Sequence, residues 1–268
     1  MKSYFNTGLI TSILLLVPFQ SRSQGTGSSV YWRLDPTVES CSMVIDPSLT
    51  QEQWKRFTRQ AGEIVTFKTM SSARTIGRNH FSISLDYSST PIDQHDLAWI
   101  NTFVHPDADC PLGDEIIMPT LRGKYGINDR VEAGLLWTMA PDANYGLVGA
   151  EFKYNFLDEQ KNFPAAAVRG SFVSLTGVDD FNVNLGSIDL LASKKVKWVT
   201  PYIGVKETFV NAEETTDKVA LDNENLFLTQ GFIGISYSIW YINMAVEYNI
   251  SDVNTLSFLL GIQSFRTK

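Results

Sequence analysis

Gly231-Phe232-Ile233-Gly234-Ile235-Ser236-Tyr237-Ser238-Ile239-Trp240-Tyr241-Ile242-Asn243-Met244-Ala245-Val246-Glu247-Tyr248 is long enough for a membrane-crossing helix, and its reading decides the fold. Ser236, Ser238, Asn243 and Glu247 interrupt it, and its apolar residues recur every second position instead of every 3.6. Ile233, Ile235 and Tyr237 share one parity, while Ile242, Met244, Val246 and Tyr248 share the other. A switch of parity across Ser238–Trp240 is what a tight hairpin produces. The stretch therefore reads as two antiparallel strands.

The same alternation spreads in both directions. Phe81, Ile83, Leu85 and Tyr87 alternate with His80, Ser82, Ser84 and Asp86. Val131, Ala133, Leu135 and Trp137 form another set, as do Val148, Ala150, Phe152, Tyr154 and Phe156. Ala166, Val168 and Phe172 form a fourth, and Leu256, Phe258, Leu260 and Ile262 a fifth. Such alternation gives each strand one apolar and one polar face. Ten strands are predicted, over 78–90, 114–126, 129–139, 144–157, 162–174, 180–193, 197–211, 224–237, 240–250 and 254–265. Most exceed the about 5–6 residues of a soluble strand and reach the about 9–11 that cross a bilayer at a tilt. Length and even count predict an all-β fold, an antiparallel up-and-down transmembrane β-barrel.

The connections suit that reading. Those near 91–113 and 212–223 are the longest and would face outward, while 127–129, 158–161, 194–196 and Ile239 are short and would face the periplasm. The third, fifth and ninth connections, also outward, are short too, so the asymmetry is partial. Tyr125, Trp137, Tyr154, Trp198, Tyr237 and Trp240 lie near predicted strand ends, where an aromatic girdle would sit. Three features run against it. Pro119 and Pro201 fall inside predicted strands. The sixth strand changes parity between Leu185 and Ile188, and Phe265 is out of step with the last strand.

The N-terminus reads as a signal peptide over 1–23. Lys2 is followed by the apolar core Leu9–Val17 and by small residues at Ser21 and Ser23. Cys41 and Cys110 then form an even pair in an exported chain, which suggests one disulfide. Residues 24–77 form an extension before the barrel, which is assigned to 78–265. Within the extension Thr50 and Gln53 resemble a capping box, and Trp54, Phe57 and Ala61 share a helical stripe. A short amphipathic helix is expected there, docked on its own barrel, plugging the lumen, closing the periplasmic mouth or binding a partner.

Tyr125-Gly126-Ile127-Asn128-Asp129-Arg130-Val131-Glu132-Ala133-Gly134 resembles a hairpin of bacterial outer-membrane barrels, and Thr200-Pro201-Tyr202-Ile203-Gly204 resembles a recurrent barrel-strand pattern. A Phe near the C-terminus, here Phe265, is similar to the signal read by the barrel-assembly machinery. The resemblance implies architecture and an outer-membrane lipid environment. It carries over no catalytic or substrate residue.

Chemistry is sparse. The net charge is −7 with no basic run, which excludes nucleic acid as a partner. The histidines are His80, His95 and His105; the last two share a loop with Asp93, Asp96, Asp107, Asp109 and Cys110, in no defined metal-ligand spacing. No nucleophile is assignable beside His80, and no metal or cofactor is expected. The polar parity carries Arg122, Lys124, Glu132, Glu151, Lys153, Arg169, Asp189, Lys206 and Glu247, five positive and four negative groups. Each would cost about 2–4 kcal/mol against lipid near the midplane, so all are expected to line the lumen. Near-balanced charge in a narrow barrel suggests ion pairs across the interior. The expectation is a non-enzymatic barrel, structural or a narrow conduit for small solutes. Three alternatives stay open: a binding module using loops 91–113 and 210–224, an outer-membrane enzyme using His95 or His105, and a soluble secreted β-protein.

Overall fold

A computed structural model describes residues 43–103, 113–139 and 145–264. The alternation of side chains produces ten strands: β1 (Phe81–Pro91), β2 (Glu115–Gly126), β3 (Val131–Met139), β4 (Gly146–Leu157), β5 (Ala165–Thr176), β6 (Phe181–Ser193), β7 (Val199–Glu214), β8 (Glu224–Ile239), β9 (Ile242–Ile250) and β10 (Thr255–Gln263). Each strand pairs antiparallel with its neighbours in sequence. The β1–β10 seam, which includes Leu85 opposite Leu260, closes the barrel. Predicted and observed strand ends differ by no more than three residues. Phe265 lies outside the described residues.

The barrel is apolar outside and polar inside. Leu135, Ile188 and Phe227 are 71%, 65% and 70% exposed, whereas Arg169, Asp189 and Lys206 are fully buried. Exposed aliphatic and aromatic side chains continue around all ten strands, an arrangement that only lipid tolerates. Trp198, Trp240 and Tyr241 ring the end with the shorter turns. Toward the other end Phe172, Phe209 and Phe227 share one outward row, with Gly186 between the first two. Among the described residues no helix is long and apolar enough to cross a membrane; the strands cross it. Phe152, half exposed near the middle of β4, tests the outward assignment. Phe152→Arg is expected to lower folding stability in vesicles by about 2–4 kcal/mol in a denaturant titration. A cost near zero would remove the residue from the lipid.

The two prolines neither bulge nor break their strands. Pro119 pairs with Tyr87 of β1, and the β2–β3 register starts only at Thr120. Pro201 pairs with Ile235 of β8, and the β6–β7 register stops at Tyr202. Each proline therefore stands just past the end of pairing on one side, where a missing N–H costs no ladder bond.

The parity change in β6 is also resolved. The strand itself never slips: Phe181, Val183, Leu185, Ser187, Asp189, Leu191 and Ser193 all face inward. What changes is the lumen, which is apolar toward the longer loops and ionic below. The apolar part receives helix α1 (Gln51–Val65), which sits in the barrel mouth and buries Trp54, Phe57, Ala61 and Ile64. Thr50 caps it, with the reciprocal Gln53 contact that makes a capping box. Trp54 meets Phe181 edge-on at 5.4 Å, and Phe57 meets Phe181 at 5.7 Å. A second helix, α2 (Leu97–Ile100), not foreseen in the sequence, lies in the β1–β2 loop with Asp96 as its cap. Its Trp99 packs on Phe57 at 5.1 Å.

Candidate functional site

The chemistry of this barrel is concentrated where its wall meets its own N-terminal chain. Register builds the wall side of the site. Glu132, Lys153, Arg169, Asp189, Lys206 and Gln230 stand directly opposite one another across β3 to β8, forming one inward row. Ion pairs stitch it together. Lys153 contacts Glu132 at 2.9 Å, and Arg169 contacts Glu151 at 2.9 Å and Asp189 at 2.6 Å. Lys124 reaches Glu132 at 3.5 Å and Glu151 at 3.2 Å. Arg122 pairs with Asp86 and, at 3.6 Å, with Glu151. Desolvating so many charges is costly, and pairing alone seldom offsets it without further hydrogen bonds.

Those further bonds go to a strap of extended chain, residues 66–80, that leaves α1 and passes down the lumen. Arg169 donates to the carbonyls of Phe67 at 2.8 Å and Lys68 at 3.1 Å. Arg122 donates to the Lys68 carbonyl at 2.9 Å, and the Lys206 ammonium donates to that of Phe67. Glu247 accepts the N–H of Thr69 at 3.0 Å and of Met70 at 2.6 Å. Tyr202 and Asn249 donate to the same carboxylate at 2.9 and 3.0 Å and so hold its orientation. Met70 adopts φ 47°, a left-handed conformation uncommon for a residue with a side chain. The two N–H groups converging on Glu247 hold the kink there. Further down, Lys153 donates to the carbonyls of Ser72 and Arg74, Asn155 to that of Ala73, and Glu132 accepts the Ile76 N–H.

Two glycines make room for the chain. A Cβ on Gly149 of β4 would lie 2.3 Å from the Phe67 ring, so only glycine lets that ring seat against the wall. A Cβ on Gly126 would lie 1.8 Å from the Gly77 carbonyl oxygen, where the strap turns into β1.

All nine ionic residues named from the sequence face this interior, and Lys124 keeps slight exposure at the shorter-turn end. Asp86, Asn155, Gln230 and Asn249, which belong to the same interior, were not singled out. Asp86 shares the polar parity of β1 and could have been found by that rule. The bridge proposed between Cys41 and Cys110 lies outside the described residues, as do His105, Asp107 and Asp109. His80 contacts the Ser264 hydroxyl at 2.9 Å, and His95 is exposed near α2. Among the described residues no group of His, Cys, Asp or Glu could hold a metal.

Outside the membrane span, the Asp46 carboxyl is held below the usual carboxylate range by hydrogen bonds from the Ser48 hydroxyl and N–H. Burial pushes the Tyr145 hydroxyl, beside Phe103, up to about 12. Below the strap a polar recess of about 230 Å³ opens among Ser82, Ser84, Thr200, Ser236, Ser238 and Asn243.

Fold and site together define a membrane-spanning β-barrel whose interior is occupied by the chain's own N-terminal strap. No family model and no curated protein matches the chain. Among solved structures it is similar to an outer-membrane channel of Pseudomonas putida F1, at 9% identity and a TM-score of 0.44, over 74% of this chain and 100% of that one. It is also similar to the translocator domain of the autotransporter NalP of Neisseria meningitidis, at 12% identity and 0.39, over 81% of this chain and 95% of that one. A third is the outer membrane protein OprG of Pseudomonas aeruginosa, at 12% identity and 0.31, over 73% and 100%. These likenesses are loose and carry nothing about function.

Proposed function

We propose that this chain is a non-enzymatic barrel of a bacterial outer membrane, exported by a signal peptide over residues 1–23 and inserted by the barrel-assembly machinery. Its lumen is closed, and its polar interior serves to anchor its own strap. The observation that supports this most is the run of backbone groups from Phe67 to Ile76 held by Arg122, Arg169, Lys206, Glu247, Lys153 and Glu132. A wall spent on main-chain hydrogen bonds has little left to recognise a passing solute. Between a structural barrel and a conduit, this favours the structural one. Hydrogen bonds to charged groups contribute about 1.5–3 kcal/mol each, so the strap does not leave spontaneously.

The test is electrical. Purified barrel, shown folded by its altered gel migration before boiling, is expected to give no single-channel conductance in a planar bilayer. Steady conductance steps from the intact chain would restore the conduit.

A further inference from the structure

The strap has a direction, and the direction has a consequence. β1 begins and β10 ends at the mouth with the shorter turns, 127–130, 158–164, 194–198 and 240–241. At that mouth the Asn79 N–H donates to the Gly126 carbonyl at 2.8 Å, and the Thr75 hydroxyl to that of Asp129 at 2.7 Å. Phe67 to Met70 lie in the ionic middle of the barrel. Residues 43–51 lie at the opposite mouth, which carries the two longest connections, 92–114 and 215–223. There the Val44 N–H donates to the Thr102 carbonyl at 3.0 Å, and the Ile45 N–H to the Asp180 carboxylate at 2.8 Å. The Gln51 amide donates to Glu224 at 2.6 Å. Read from N to C, the chain enters at the longer loops, runs through the lumen and emerges at the shorter turns before the wall begins.

Short turns face the periplasm and long loops the exterior in barrels of this kind. We propose that this barrel holds residues 43–50 of its own chain at the outer mouth, facing the exterior of the cell. The barrel is then a tether that displays residues 43–50 at the surface. The proposal rests on the outer-membrane reading above.

The residues at the outer end suit that position. Pro47, Ser48 and Thr50 are exposed, and so are Glu52, Lys55 and Arg56 on the open face of α1. The apolar face of the same helix locks the end in place. A Cβ on Gly62 would lie 2.8 Å from both Leu228 and Val210, so the helix backbone sits directly on the wall.

A membrane-impermeant maleimide, applied to intact cells and to cells with a permeabilised outer membrane, tests this. Single cysteines are introduced in a chain carrying Cys41→Ser and Cys110→Ser. Ser48→Cys and Asp217→Cys, the latter in the exposed β7–β8 loop, are expected to label equally in both preparations. Lys161→Cys, in a short turn, is expected to label only after permeabilisation. If Asp217→Cys labels on intact cells and Ser48→Cys does not, the display proposal is wrong while the barrel's orientation stands. If Lys161→Cys labels on intact cells and Asp217→Cys does not, the orientation is reversed and both fall. Should the serine background fail to fold, an epitope inserted between Pro47 and Ser48 of the natural chain replaces the label. Antibody binding to intact cells is expected, and binding only after permeabilisation would overturn the proposal.

Discussion

Deleting residues 43–76 should turn a silent barrel into a conducting one. In planar bilayers the shortened chain is expected to give single-channel steps under conditions where the intact chain gives none. The physical reason is that the strap and α1 occupy the lumen along its whole length, from Trp54 beside Phe181 to Ile76 beside Glu132. Without them water enters, and the wall's own charges stay behind. Arg122, Lys124, Lys153, Arg169 and Lys206 face Asp86, Glu132, Glu151, Asp189 and Glu247, five of each sign. A balanced lining predicts weak selectivity between cations and anions, which reversal potentials in a salt gradient would measure.

The same deletion should cost stability. Phe181, Leu185, Val210 and Leu228 would lose their cover, and an apolar side chain of that size contributes roughly 1.5–3 kcal/mol when buried. The midpoint of denaturant unfolding should therefore fall, while migration as a folded barrel before boiling survives, because the β1–β10 seam does not depend on the strap. A deleted barrel that folds but passes no current would show that something other than the strap seals the lumen.

The sequence made the wall legible and hid the strap, for a physical reason. A strand in a lipid-facing barrel declares itself in every second residue, because lipid on one side and a polar interior on the other sort the side chains. That rule found all ten strands and their hairpins. It failed to read Phe181, Val183 and Leu185, because inside and outside are both apolar where α1 enters the mouth. Helix α1 was readable from its own cap and stripe, but its place was not. Nothing local distinguishes a helix lying against a barrel from one set inside it. Phe67-Lys68-Thr69-Met70 carries no periodicity at all, since its conformation is imposed by side chains far away in sequence, on β2, β5, β7 and β9. One indirect sign existed. Nine ionic groups assigned to a narrow lumen needed more partners than one another.

Arg169→Met should be among the most damaging single substitutions in the wall. Arg169 is fully buried and holds four acceptors at once: Glu151, Asp189 and the carbonyls of Phe67 and Lys68. Methionine keeps much of the length and removes every donor. Glu151 retains Arg122 and Lys124, but Asp189 loses its guanidinium; among the described residues it keeps the Thr69 hydroxyl, at 2.8 Å, as a hydrogen-bond donor, with Lys206 opposite it on β7. Breaking one side of a buried pair costs about 3–5 kcal/mol, since the remaining charge stays desolvated. That loss should appear in denaturant unfolding followed by tryptophan fluorescence, with Trp54 and Trp99 reporting from the mouth. Arg169→Lys should fall between the two, because one ammonium cannot reproduce the planar fork that reaches two carboxylates and two carbonyls. The double variant Arg169→Met with Asp189→Asn should recover part of the loss, as the stranded charge is gone. If Arg169→Met lay within about 0.5 kcal/mol of the natural chain, as an unremarkable surface change does, the ionic row would not be what holds the strap.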